Sequence, residues 1–122
     1  MARDAPIRET DNWFIGEDQL LRFTIDDGAI PTPAASDITG FALEWVLRLS
    51  PGGPVALIAK TTGAGIVITD GPNGVCEVAI DDGDTINLQP SARYFHTLRR
   101  TDAGFETVLA FGDAVLRQAA TR

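Results

Sequence analysis

Two residues of this sequence, a histidine and a cysteine, are of types common in catalytic triads and metal sites, and each type occurs once. His96 is the only histidine and Cys76 the only cysteine, so a triad or a histidine–cysteine metal site would have to use these single residues. Both fall on apolar faces of predicted strands, where Cys76 alternates with Val78 and His96 with Leu98. We therefore expect both to be core residues, and we predict no enzyme activity and no cofactor.

Carboxylates are the other candidate ligands, and they cluster in predicted turns. Oxygen ligands that converge from loops at one end of a domain can hold Ca²⁺, although no cluster here has EF-hand spacing. Aspartate also starts turns by bonding its own backbone. We predict no metal site, with Ca²⁺ held by these turns as the alternative. The clusters are Glu17-Asp18, Asp26-Asp27, Asp70 with Asn73, and Asp81-Asp82-Asp84.

Size and charge exclude several other classes of function. The chain has 122 residues, ten basic and seventeen acidic side chains, and a net charge of −7. This balance disfavours binding to nucleic acid phosphates and to anionic lipid. No apolar run approaches the roughly 20 residues of a membrane span, and the N-terminus has no apolar signal segment. We expect one soluble domain that does not depend on disulfides.

Period-two alternation between glycine- and proline-rich breaks predicts β-strands throughout the chain. The segment 41–50 is the clearest, with Leu43, Trp45 and Leu47 on one face. Short strands at this spacing predict an all-β fold, an antiparallel β-sandwich of seven to eight strands. Asp84-Thr85 is predicted to cap one helical turn over 86–88, and Gly112 to mark a bulge. The predicted strands cover residues 19–26, 41–50, 55–61, 66–69, 75–80, 92–101 and 105–111, with a continuation over 114–116.

The predicted strands define one domain with short extensions at both ends. Residues 11–117 form the predicted sandwich. Residues 1–10 are predicted to be a flexible N-terminal arm and residues 118–122 a frayed C-terminal tail.

The pattern Leu88-x-Pro90-x-x-x-Tyr94 resembles the corner of fibronectin type III domains. In that family the tyrosine hydroxyl bonds to backbone a few residues upstream and fixes the crossover between sheets. The resemblance implies that Tyr94 is such a corner residue, supported by Leu88 and Pro90.

Over residues 14–117 the sequence also resembles the immunoglobulin-like domains of tailed-phage virion proteins, such as baseplate upper proteins and tail-fibre attachment proteins. That resemblance implies an immunoglobulin-like sandwich and a structural role in a phage or phage-like particle, as an attachment, decoration or baseplate protein. It further implies a homo-oligomer with other virion structural proteins as partners, made in the host cytoplasm and located in the virion. The segments that carry it are Gly16-Glu17-Asp18, Asp37-Ile38-Thr39-Gly40, Asp84-Thr85 with Leu88, and Asp102-Ala103-Gly104.

Three aromatic residues are candidates for an assembly interface. Phe95 alternates with the core-facing Tyr94, so it is predicted to point outward, either to an interface or into local packing. Trp13 and Phe14 precede the first long strand and could dock as an arm, or could instead close that strand onto the core. The alternative function is a glycan- or ligand-binding module, for which Trp13 is the available aromatic.

Overall fold

The computed structural model describes residues 3–4, 7, 13–27, 33–50, 55–89 and 92–117. These residues form eight strands, one short α-helix and a 3₁₀ turn over Gly71–Asn73, so the predicted all-β class is confirmed. The strands are β1 (Arg3–Asp4), β2 (Gln19–Thr24), β3 (Leu43–Arg48), β4 (Ile58–Thr62), β5 (Gly65–Asp70), β6 (Val75–Ile80), β7 (Arg93–Arg100) and β8 (Thr107–Val115), and the helix is α1 (Asp82–Thr85).

The described strands hydrogen-bond in the order β1-β8-β7-β3-β4-β5-β6-β2. Neighbours are antiparallel except for β1 with β8 and β4 with β5, so the prediction of wholly antiparallel pairing was wrong at these two places. At the β4–β5 junction Thr61 and Ala64 exchange backbone hydrogen bonds. The positive φ of Gly63 and Gly65 lets the chain turn so tightly that β5 departs in the direction of β4.

The described residues of the predicted flexible arm form hydrogen bonds with β8. β1 lies along β8, and beyond it the Ile7 backbone bonds to Asp113 and Val115. The backbone groups at the outer edge of β8 can take up a further strand. Ile7 is buried as a result. The flexibility of residues 1–10 stays a prediction. The predicted tail, 118–122, lies outside the described residues.

The sheet curls until β2, at one end of its strand order, faces β7. Phe23 lies on β2, the eighth strand in the order, and His96 on β7, the third. Five strand spacings would separate them by about 24 Å in a flat sheet. Their ring centroids are 5.9 Å apart. The apolar side of the sheet is therefore folded onto itself around a single core.

The predicted alternation is confirmed in the strands that build this core. On β2, Leu21 and Phe23 are buried, while Arg22 between them is exposed. On β3, the Trp45 ring lies 6.4 Å from Trp13 and 6.0 Å from His96. The core thus joins β2, β3, β7 and the segment before β2, and burying these side chains is the main source of stability.

Two local predictions were wrong by a few residues. The helical turn is α1, not residues 86–88, because Asp81 precedes the turn in an extended conformation and Asp84 is its third residue, bonding back to the Asp81 N–H. The register shift of the β7–β8 hairpin lies opposite Leu98 and Arg99, and the strand runs unbroken through Gly112. Gly112 pairs with His96 in that register.

The hydroxyl of Tyr94 links the start of β7 to the chain that precedes it. It accepts a hydrogen bond from the Gln89 N–H at 2.9 Å, the arrangement of a tyrosine corner. Leu88 packs partly buried against the core, and Pro90 lies outside the described residues. The bond fixes the route by which the chain passes from α1 into β7.

Replacing Tyr94→Phe removes this hydrogen bond and leaves the ring in place. We expect the free energy of unfolding to fall by about 1 kcal/mol, measured by urea denaturation. Gln89→Ala is the matched control, because only the backbone of Gln89 takes part. A Tyr94→Phe curve that superimposes on wild type would show that the bond does not stabilise the fold.

Candidate functional site

The single histidine is a structural residue of the core. His96 is 1% exposed, and its Nδ1 accepts a hydrogen bond from the Trp45 indole N–H at 3.1 Å. The ring packs against Phe23 of β2, the last strand in the order. This nitrogen is occupied by a core partner, and solvent does not reach the ring.

The single cysteine is also enclosed. Cys76 is buried on β6, and burial, with a smaller contribution from the charge of Glu77, raises the pKa of its thiol to about 11. The thiol is therefore protonated at neutral pH, whereas nucleophilic cysteines are thiolates in electropositive surroundings.

The acidic clusters are used in local hydrogen bonds. Asp70 accepts from the Asn73 side chain at 2.9 Å, and Asp27 accepts from the Ala34 N–H at 3.0 Å. Among the described residues, no group of three or more histidine, cysteine, aspartate or glutamate side chains is placed to hold a metal ion. Within the same residues no helix is long and apolar enough to cross a membrane.

Two segments of the phage resemblance meet in a polar junction between the start of β2 and α1. The Gly16 N–H donates to the buried hydroxyl of Thr85 at 2.8 Å, and the Asp82 N–H donates to Asp18 at 2.8 Å. Residues 64 to 69 positions apart in sequence are thereby joined. The junction ties the last strand of the order to the turn that leads out of its neighbour, β6.

The only lysine reaches this junction from β4. Lys60 Nζ lies 2.8 Å from Asp84 and 4.0 Å from Asp81. Burial raises the pKa of the Asp84 carboxyl, but hydrogen bonds from Lys60 and the Asp81 N–H, together with the Lys60 charge, outweigh it and hold the pKa below the ordinary 3.8. The Gly65 backbone lies close to the Lys60 side chain, so any side chain at position 65 would collide with it.

A second cluster forms on the outward side of β4, β3, β7 and β8, the side turned away from the core. The register places Val46 between Ala59 and Thr97, with Phe111 next to Thr97 on β8. In the adjacent row Phe95 lies between Arg48 and Asp113. Glu44, Arg99 and Val108 form the third row. We call Val46, Arg48, Phe95, Arg99 and Phe111 the arginine–aromatic face.

This face combines exposed rings with a covered centre. Phe111 is 43% exposed and Phe95 partly so, whereas Val46 is only 4% exposed. The register places Glu44, Arg48, Phe95 and Arg99 around Val46, and arginine side chains can lie over apolar neighbours. The face therefore combines aromatic rings with two arginines and one carboxylate.

The guanidinium groups of the face differ in their partners. Arg93, at its edge, lies 5.8 Å from the Phe95 ring and bonds to Asp113 at 2.6 Å. Arg48 and Arg99 instead have buried Nε atoms that donate no hydrogen bond within the described part of the chain. Buried donors without acceptors are uncommon in folded proteins and each costs free energy.

The predicted interface residues lie in three different settings. Trp13 is fully buried against Trp45, so the folded chain cannot present it to a partner. Phe14 is partly buried, with the Arg117 guanidinium 5.2 Å from its ring. Phe95 lies on the outward side of β7, as its alternation predicted. The structure therefore brings Phe95, but not Trp13 and Phe14, into the arginine–aromatic face.

Sequence reasoning missed the other members of this face. Phe111 and Arg48 lie 16 and 47 residues from Phe95 in the chain, and only the cross-strand register makes them neighbours. The available signal was the alternation of β3, which puts Val46, an apolar residue, on the side opposite Trp45. An apolar residue amid polar neighbours on an outward strand face is the pattern that indicates contact there.

The sequence matches no protein-family model, and a search of curated proteins finds no match.

Asp84→Asn tests the polar junction, since it removes the charge that pairs with Lys60. We expect the free energy of unfolding at pH 7 to fall by about 1–2 kcal/mol, measured by urea denaturation. Because the pKa of Asp84 is lowered in the folded chain, its contribution is present above about pH 4 and is lost as pH falls through that lowered value.

The wild type and Asp84→Asn should therefore converge in stability on acidification. Asp70→Asn is the matched control, because Asp70 is exposed and its asparagine replacement can still accept from Asn73. A stability difference that persists unchanged to pH 2 would show that the Lys60 ion pair is not its source.

Proposed function

We propose that this chain is a non-enzymatic structural protein that works by assembly, using the arginine–aromatic face as its contact surface. The observation that carries the proposal is the composition of that face. Exposed Phe111 and partly exposed Phe95 are anchors of the kind that dominate protein interfaces, and arginine is enriched with them there. Arg48 and Arg99, which are partly exposed, add positive charge to the face.

We further propose that the fold is an immunoglobulin-like sandwich. The strand order supports this, because the β4–β5 junction divides it into a group of five strands, β1-β8-β7-β3-β4, and a group of three, β5-β6-β2. The Phe23–His96 contact supports the packing of these groups face to face. The hydrogen bond between Tyr94 and Gln89 is a further feature of such domains.

The place of assembly that we propose is a phage or phage-like particle, as a tail, baseplate, fibre-attachment or decoration protein located in the virion. The support is the resemblance of the sequence, together with the structural use of its segments. The Asp37 carboxylate accepts from the Thr39 N–H and directs Ile38 into the core. Thr85 and Gly16 bond to each other. The segments that suggested the family thus have defined positions in one fold.

The two other functional classes have weaker support. A histidine-based triad or a thiol nucleophile would need His96 or Cys76, and both are enclosed in the core. Glycan sites commonly offer an exposed aromatic ring, and both tryptophans, Trp13 and Trp45, are 0% exposed. A ligand-binding module would therefore have to use phenylalanine, and the exposed phenylalanines next to arginine favour a protein partner.

Phe95→Asp tests the proposed contact surface. We expect the variant to fold as wild type but to self-associate on the order of tenfold more weakly or worse, because a buried carboxylate replaces an apolar anchor. Sedimentation velocity across a concentration series measures this, and circular dichroism checks the fold. Val67→Asp is the matched control, since Val67 is an exposed apolar residue on the outward side of β5.

The two variants must differ for the proposal to stand. An unchanged oligomeric state in Phe95→Asp, or an equal loss in Val67→Asp, would remove the arginine–aromatic face as the assembly surface.

A further inference from the structure

We propose that the arginine–aromatic face binds an acidic turn of a second copy of this chain. The acidic turn consists of Glu17, Asp18, Asp81 and Asp82, at the start of β2 and around the N-terminus of α1. This inference rests on the proposed function and names the occupant of its contact surface.

The face offers positive charge to a partner. Arg48 and Arg99 are partly exposed on it, with Glu44 opposite Arg99 in the same row. Carboxylates bind guanidinium groups through charge-assisted hydrogen bonds. The charge of Arg99 also acts on Glu106, whose pKa is lowered mainly by its own and the Gly104 backbone N–H and further by Arg99. A partner that brings carboxylates can pair with both arginines.

The acidic turn can supply those carboxylates. Its four side chains belong to exposed residues in a chain of net charge −7. The nearby Lys60 ammonium is engaged mainly by Asp84, at 2.8 Å, and lies 4.0 Å from Asp81. The turn therefore presents more negative than positive charge. Its backbone is held by the Thr85 and Asp18 hydrogen bonds, so little order has to be gained on binding.

Charge favours the acidic turn over pairing of two identical faces. Such pairing would gather Arg48 and Arg99 of both copies in one contact, with Glu44 as the carboxylate in the row of Arg99. The acidic turn belongs to β2 and the end of β6, whereas the face belongs to β4, β3, β7 and β8. Contact between the two different surfaces is heterologous, and such contacts propagate into closed rings or open filaments.

Paired charge reversals test this inference. The face variant carries Arg48→Glu and Arg99→Glu, and the turn variant carries Glu17→Lys and Asp82→Lys. We expect each to self-associate on the order of a hundredfold more weakly than wild type. Mixed together, they should associate again, because each variant retains one intact surface and the two reversed surfaces are again of opposite charge. Sedimentation velocity and light scattering measure the species, and circular dichroism checks each fold.

Matched controls place a single charge reversal of each sign elsewhere. Arg22→Glu alters the outward side of β2, and Asp70→Lys alters the turn after β5; both should associate as wild type. Wild-type assembly should weaken between about 0.05 and 0.5 M NaCl, because ion pairs at a surface are screened. If the glutamate variant does not fold, Arg48→Gln with Arg99→Gln removes the charges with less disturbance and takes its place in every comparison.

The outcomes separate this inference from the proposed function. A turn variant that assembles as wild type, while the face variant and Phe95→Asp do not, overturns the inference and leaves the contact surface in place. Full assembly of Phe95→Asp and the face variant overturns both. Wild type that stays monomeric at every concentration also overturns the inference, as does a mixture of the variants that does not associate.

Discussion

A sheet with one apolar side can exclude water only if that side is folded onto itself or covered. In this chain the sheet does the folding, since the Phe23 ring on the last strand of the order packs 5.9 Å from His96 on the third. A tight turn and several hydrogen bonds support that closure. Gly63 and Gly65 turn the chain at the β4–β5 junction, Tyr94 fixes the entry into β7, and the polar junction fastens β2.

Closure also decides which surfaces remain for function. It encloses His96, Cys76 and both tryptophans. The outward side of β4, β3, β7 and β8 stays open and carries Phe95, Phe111, Arg48 and Arg99. This outward side is the surface that we propose for contact with other proteins.

The sequence allowed prediction of what depends on local patterns. Period-two alternation identified the buried faces of β2 and β3, and the spacing around Tyr94 located a residue that bonds to backbone upstream. Contacts between residues that are far apart in the sequence could not be predicted. The pairing of β1 with β8 and the meeting of Phe95, Arg48 and Phe111 depend on strand register, which no local pattern encodes. The helical turn was predicted too far along the chain, because the sequence suggested Asp84 as the residue before the turn. It is the third residue of the turn and accepts a hydrogen bond from the Asp81 N–H.

The closure of the sheet is the claim on which the rest depends, and a nuclear Overhauser spectrum of the folded protein tests it most directly. The account predicts cross-peaks between the ring protons of Phe23 and those of His96, because their centroids lie 5.9 Å apart. Cross-peaks across the β3–β7 and β2–β6 pairs should be present in the same spectrum. Intact strand pairs without any signal between Phe23 and His96 would show an open sheet and contradict the account.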